Sequence, residues 1–212
     1  KNPEAGDAAE KLLSSPGFWI LLLINVLVGI VNWAVYGWMP TFFREQFHLG
    51  VGAAGLSATG YIQIASFGGV LFAGLLADQL SLTWRGARAL VPAVGFALAG
   101  PCLFGSALTG TFPVAVSCLV IFGIGRGAFD ANHMPLLREI VDERYSASGY
   151  GLLNFVSTAA GGIMVYAGGA LRDAQVPLGA IFQVAGVALF IAGMLLLVIR
   201  LSMKRVSNRA QD

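Results

Sequence analysis

The chain of 212 residues is 57% hydrophobic and only 11% charged, and its formal net charge is +2. A soluble domain carries about 25% charged residues, so this composition excludes an ordinary soluble domain. The apolar residues come in runs long enough to cross a bilayer as helices, which takes roughly 20 residues. Strands of a membrane barrel would alternate polar and apolar residues, and these runs do not. We therefore expect an all-α integral membrane protein.

Six apolar spans follow one another along the chain. Residues 1–16 are polar and are interpreted as a cytoplasmic linker, residues 17–201 as a six-helix transmembrane bundle, and residues 202–212 as a cytoplasmic tail. The predicted spans cover 17–39, 53–77, 88–108, 112–136, 147–171 and 178–201. Because the connections are short, successive helices are expected to be antiparallel neighbours.

The basic residues predict how the bundle is oriented. In this arrangement Arg44 and Arg172 are the only basic residues on one side, and Arg126 lies within a span. Every other lysine and arginine falls on the side of the two chain ends. Cytoplasmic loops carry an excess of Lys and Arg, so both termini are expected in the cytoplasm. The expected location is a plasma membrane, such as the inner membrane of a bacterium.

Polar side chains recur on the faces of several spans. Asparagine and glutamine in membrane helices often form hydrogen bonds between helices, so any one of them can be structural. Several polar faces on different helices together favour a shared polar cavity. The residues expected to bind substrate there are Asn25, Asn32, Trp33, Tyr36, Gln63 and Asn154.

Charged residues also occur inside the fourth span. Arg126 and Asp130 are four residues apart and His133 is seven from Arg126, so all three share one helix face. A charge at that depth costs at least roughly 2.5–3.5 kcal/mol and must face the bundle interior or a water-filled cavity. One interpretation is an ion pair that only joins helices. A buried ion pair is often no better for stability than apolar packing, so an anion-binding arginine beside a titratable aspartate is favoured.

Motifs for other functions are absent from the sequence. Cys102 and Cys118 lie in apolar runs without metal-binding spacing and are interpreted as packing residues. There is no nucleophile elbow, HExxH helix or phosphate-binding loop. Asp130 and His133 lie on one helix, which does not suit a hydrolytic triad. We therefore expect no catalytic residue, metal, cofactor or nucleic-acid partner, and the alternative of a membrane enzyme is disfavoured.

The segment GLLADQLSLTWRGAR, residues 74–88, resembles the signature loop of the major facilitator superfamily, G-x-L-A-D-R-x-G-R-R. The glycine, leucine, alanine and Asp78 match, whereas the first basic residue and the second glycine of that pattern are replaced. With six spans, this resemblance implies the C-terminal six-helix half of such a transporter, whose partner is an N-terminal six-helix half. Asp78, with Arg85 and Arg88, is expected to act in gating by holding the cytoplasmic side closed.

The segment from residue 125 to residue 155 resembles the anion:cation symporter group and the related spinster-like carriers. Arg126, Asp130 and Asn132 occupy their R-G-x-x-D-x-N pattern, and Arg144 and a GYG sequence follow. The resemblance implies a secondary transporter that moves an organic anion, such as a sugar acid, by symport with protons. A spinster-like lipid carrier and an uncoupled facilitator remain alternatives on the same fold, and a non-transporting assembly subunit remains an alternative of another class.

The favoured hypothesis assigns different roles to the charged residues of the fourth span. Arg126 stays charged at physiological pH and is expected to bind the anion. Asp130 can gain and lose a proton, so it is expected to couple substrate to protons. His133 is interpreted either as a relay for that proton or as a packing residue. The chain alone is not expected to transport, because the binding site of this fold lies between two halves.

Overall fold

The computed structural model describes residues 10–84 and 86–209, with side chains described as far as residue 203. Six long helices make up this part of the chain, and each is long and apolar enough to cross a bilayer. They confirm the prediction of an all-α protein with six membrane helices. The helices are α1 (Pro16–Phe47), α2 (Val51–Ser81), α3 (Ala87–Ser106), α4 (Phe112–Ile140), α5 (Ser146–Asp173) and α6 (Leu178–Arg209).

Five of the six helices are longer than the apolar spans that predicted them, and α3 is the exception. α1 continues beyond Pro40, and α4 continues beyond Pro135. Hydropathy marks only the part of a helix that matches the bilayer core, so it stops where polar residues begin even though the backbone remains helical. α1 ends at Phe47 and is capped by His48, whose φ of 53° is the left-handed conformation that commonly terminates helices.

α2 is not a uniform α-helix. An α-helical segment, Val51–Gly55, leads into a π-helical turn, Leu56–Gly60, and the α-helix then resumes at Tyr61. A π turn widens the helix locally, and such turns occur frequently at functional sites. This one ends three residues before Gln63, a predicted substrate-binding residue.

The six helices divide into a packed core and two outer members. α3 packs against α4 and α6, α2 packs mainly on α4, and α1 packs against α5 and α6. In the most apolar stretches of α2 and α5 only 22% and 17% of the residues are buried, against 44–50% in the other four helices. The outer helices therefore present large side chains outward, including Phe67, Phe72, Phe155, Ile163 and Tyr166.

Glycines allow neighbouring helix backbones to approach closely. A Cβ atom at Gly123 of α4 would lie 2.7 Å from the carbonyl oxygen of Ile62 in α2. Between α3 and α4, a Cβ atom at Gly95 would lie 3.0 Å from the Cα atom of Gly125. Small residues at such crossings are typical of membrane helices, whose association depends on close van der Waals packing. The α2–α4 contact is the one that positions the candidate site.

Candidate functional site

Arg126 lies at the meeting point of three helices. Its Nη1 atom donates hydrogen bonds to the hydroxyl of Tyr36 on α1 and, over 3.2 Å, to Oε1 of Gln63 on α2. The Tyr36 hydroxyl in turn donates to the same Gln63 oxygen at 2.8 Å. The three side chains form a closed triangle, which we call the Arg126 cluster. It brings together three of the residues predicted to bind substrate.

Tyr36 also contacts the guanidinium group with its ring. The Cζ atom of Arg126 lies 5.1 Å from the centre of the Tyr36 ring, within the range of a cation–π interaction. The phenol therefore stabilises the arginine through both its hydroxyl and its aromatic face. Both contacts restrict where the guanidinium group can lie.

Asp130 is close to Arg126 without being fully engaged by it. The Asp130 Oδ2 atom lies 3.6 Å from Arg126 Nε, which is within ion-pair range but too long for a hydrogen bond. The Nε atom is buried and has no hydrogen-bond partner in the described part of the chain. The Asp130 side chain is 42% exposed. Its carboxylate therefore remains accessible to a proton or another partner.

The Arg126–Asp130 ion pair is partly exposed on the six-helix bundle. Arg126 and Asp130 lie within the α4 segment that is apolar enough to cross the bilayer. Charged side chains at such depth face a bundle interior or a water-filled cavity rather than lipid. The open side of Asp130 must therefore face water or another protein segment.

His133 has a different environment from Asp130. Its side chain is buried, stacked on Phe129 at 4.9 Å between ring centres and tilted against Tyr150 of α5 at 5.1 Å. Its Nε2 atom is buried without a hydrogen-bond partner among the described residues. The aromatic contacts place this histidine between α4 and α5.

The remaining predicted substrate-binding residues form no hydrogen bond to the Arg126 cluster within residues 10–84 and 86–203. Asn25 is buried and donates to the carbonyl of Leu21, one turn earlier. Exposed Asn154 likewise donates to the carbonyl of Tyr150. Asn32 is half-buried, and Trp33 is 45% exposed with its indole ring beside Gly161 of α5.

Two of the three predicted gating residues, Asp78 and Arg88, meet at the end of the bundle where α1 begins and α6 ends. Arg88 on α3 contacts the Asp78 carboxylate of α2 at 3.1 Å and the Glu139 carboxylate of α4 at 3.4 Å. Arg85, the third predicted member, lies outside the described residues. The sequence analysis missed Glu139, because its position opposite the start of α3 depends on how α3 and α4 pack.

The sequence analysis also missed an ion pair at the opposite end of the bundle. Arg172 at the end of α5 donates a hydrogen bond to the Glu45 carboxylate near the end of α1. Both side chains are exposed. Neither residue belongs to a motif, and their proximity depends on how α1 and α5 pack.

The six apolar helices, with a partly buried arginine inside one of them, define a class of protein, a multi-pass integral membrane protein. The Major Facilitator Superfamily profile matches residues 21–211, and the chain belongs to that superfamily. The resemblance of its sequence to one six-helix half of the superfamily is thereby confirmed.

Individual relatives agree with this assignment. The chain is 26% identical over 156 residues to "Probable anion transporter 3, chloroplastic" of Oryza sativa subsp. japonica, a match covering 71% of this chain and 29% of the rice protein. It also resembles the crystal structure of a bacterial homologue of the human lysosomal transporter Spinster, solved inward-facing and unoccupied. That match has a TM-score of 0.62 and 18% identity, and covers 96% of this chain and 50% of the other. At this identity the likeness shows the fold, and the chain spans half of that structure.

Proposed function

We propose that this chain forms one half of a secondary transporter that carries an organic anion together with protons. The observation that supports this most is the Arg126 cluster, in which a guanidinium group within the membrane is oriented by two helices and has an exposed carboxylate beside it. An ion pair that served only to join helices would have no need of this open side.

Arg126 is suited to binding a carboxylate. Guanidinium groups carry five N–H donors in a planar fork and bind carboxylates through two parallel hydrogen bonds. Tyr36 and Gln63 both bond to Nη1, so the donors on Nη2 remain available to an anion. Because Tyr36 and Gln63 already hold the guanidinium group in place, the arginine side chain would lose less conformational freedom when a carboxylate binds.

Asp130 is proposed to couple anion binding to proton binding. A carboxylate bound to Arg126 would compete with Asp130 for the positive charge and place a second negative charge near it. Both effects favour the protonated form of Asp130. By thermodynamic linkage, protonation of Asp130 must increase anion affinity by the same factor. Substrate and proton then bind cooperatively, as symport requires.

The other half of the transporter is proposed to face the open side of this cluster. In transporters of this kind the substrate binds near the middle of the membrane between two halves, which rock about it. The exposed indole ring of Trp33 would then be available to stack on a sugar ring. Asn32 and Asn154 would contribute polar groups, whereas Asn25, already bonded within α1, would play a structural role.

Gating is proposed to involve the charges at the termini end of the bundle. Arg88 bridges Asp78 and Glu139, and so joins α2, α3 and α4 at the end expected to face the cytoplasm. These side chains are partly exposed, so their interactions are weakened by water and easily exchanged. Such contacts can hold one conformation closed and still open during each transport cycle.

The proposal is tested with the complete transporter, both halves included, in liposomes. The measurements are uptake of radiolabelled glucuronate driven by a pH gradient, and glucuronate exchange without a gradient. Asp130→Asn should abolish accumulation but retain exchange, whereas Arg126→Ala should lose both. Glu45→Gln, which neutralises a carboxylate at the far end of α1, is the matched control and should retain both.

Two outcomes would reject parts of this proposal. Accumulation of glucuronate by Asp130→Asn would assign coupling to another residue. Failure of the unmodified protein to bind any sugar acid, combined with transport of a lysophospholipid independent of Arg126, would instead favour a lipid carrier on the same fold.

A further inference from the structure

The contact between α3 and α4 determines which residues of the two helices lie opposite each other. Gly95 and Gly125 face each other where the two helices cross, and a Cβ atom at Gly125 would lie 3.2 Å from the Cβ atom of Ala99. The helices are sequential and antiparallel, so a step forward along α3 corresponds to a step backward along α4. Cys102 lies seven residues after Gly95, and Cys118 lies seven residues before Gly125. Seven residues are close to two helical turns, which returns both cysteines to the facing sides.

The side chains follow this register. The Cys118 thiol is close enough to the Cys102 thiol for a direct side-chain interaction, and both cysteines are free and half-buried. The sequence analysis interpreted each as a separate packing residue. Their spacing of sixteen residues gave no motif, because only the α3–α4 crossing brings them together.

The pair lies well away from the Arg126 cluster. Cys102 is four residues before the end of α3, and Cys118 is six residues after the start of α4. At a rise of 1.5 Å per residue, both lie about 6–9 Å inside the helix ends, on the side opposite the chain termini. The pair therefore lies near one end of the bundle.

We propose that Cys102 and Cys118 form an oxidation site that closes into a disulfide joining α3 to α4 when it meets a hydroperoxide. A sulfur of one cysteine attacks the terminal oxygen of the hydroperoxide, the O–O bond breaks, and the alcohol leaves as a sulfenic acid forms. The second sulfur attacks the sulfenic sulfur, the S–O bond breaks, and water leaves. Two thiols lose two electrons and two protons, and the hydroperoxide is reduced to an alcohol and water.

The helix geometry suits this bond. A disulfide requires Cα atoms roughly 4.4–6.8 Å apart, whereas ordinary packed helices have axes about 8–10 Å apart. Glycines at the crossing let the α3 and α4 backbones approach closely, since a Cβ atom at Gly95 would lie 3.0 Å from the Gly125 Cα atom, and this close approach favours the short separation that the bond needs. The bond would fix the spacing between α3 and α4, the helix that carries Arg126.

The site can be tested on the complete transporter in membranes, with any cysteines outside this chain replaced by serine. The protein is treated with cumene hydroperoxide, denatured, and labelled with a maleimide–polyethylene glycol reagent that shifts each free thiol on a gel. Untreated protein should take two labels and treated protein none, with both labels restored by dithiothreitol. Intact mass should show the loss of two hydrogen atoms, and the protein should run as a monomer on a non-reducing gel.

A matched variant keeps two thiols and separates them. In Cys102→Ser/Leu98→Cys the α3 thiol moves one turn along the helix, away from Cys118, to a position that is already exposed. Intramolecular reactions gain strongly from proximity, so the natural pair should lose its labels at least about tenfold faster than this variant. Equal rates in the two proteins, or two labels retained by the treated natural protein, would overturn the proposal.

Discussion

Substitution of Gly123 by alanine tests whether the close approach of α2 to α4 positions the Arg126 cluster. The added Cβ atom would lie 2.7 Å from the Ile62 carbonyl oxygen and 2.9 Å from the Ala65 Cβ atom, whereas ordinary contact begins at 3.4 Å. Raising the first separation from 2.7 to 3.4 Å moves this part of α2 outward by 0.7 Å. The obstructing oxygen belongs to the backbone, so no side-chain rotation can relieve the clash.

The displacement acts directly on the site because Gln63 follows Ile62 in the chain. The bond from Arg126 to Gln63 measures 3.2 Å, so an outward shift of that size carries it beyond about 3.5 Å, where a hydrogen bond is lost. Overpacking of this kind typically costs about 1–3 kcal/mol. Weaker orientation of Arg126 should also reduce anion affinity.

Gly74→Ala is the matched control on the same helix pair. Its added Cβ atom would lie 3.5 Å from the Ala131 Cβ atom, an ordinary contact. Alanine gains the same helix propensity over glycine at both positions, about 1 kcal/mol, so this contribution cancels in the comparison. Thermal unfolding in detergent should therefore show Gly123→Ala less stable than Gly74→Ala by about 1–3 kcal/mol. Equal stability and equal glucuronate binding in the two variants would refute the argument.

Other variants test the remaining parts of the site. Asp78→Asn should slow transport but leave equilibrium binding nearly intact, and an equal loss of both would contradict a gating role. Tyr36→Phe removes a hydroxyl bonded to Arg126 and should weaken glucuronate binding several-fold, whereas Tyr166→Phe, on the exposed face of α5, should not. Residues 1–212 alone should show no uptake in liposomes, and uptake by that fragment would contradict a site shared between two halves.

The six-helix fold could be predicted because its signal is local. Each membrane helix satisfies its own backbone hydrogen bonds and needs a long apolar run, so the sequence of each span predicts it independently of the others. The loop around Asp78 then identifies the superfamily. The ends of α1 and α4 could not be predicted as well, because beyond the bilayer core a helix depends on packing and capping rather than on hydropathy.

The contacts within the site required the structure. Helical spacing alone predicted that Arg126 and Asp130 share a face. It could not show that Gln63 rather than Asn32 bonds to Arg126, since both are uncharged polar residues on predicted polar faces. That choice depends on the α2–α4 crossing. The Arg88–Glu139 pair and the Cys102–Cys118 pair were missed for the same reason, because each joins residues of different helices without a sequence motif.

The arrangement of the helices also links the outer surface to the site. α2 packs mainly on α4, which carries Arg126, and α5 packs mainly on α1, which carries Tyr36. A second half that contacts the exposed faces of α2 and α5 would therefore press on the two helices that position the cluster. Gln63 transmits the position of α2 directly, since its oxygen accepts hydrogen bonds from both other members. Movement between the halves would thus alter the orientation of Arg126 without any contact with the guanidinium group itself.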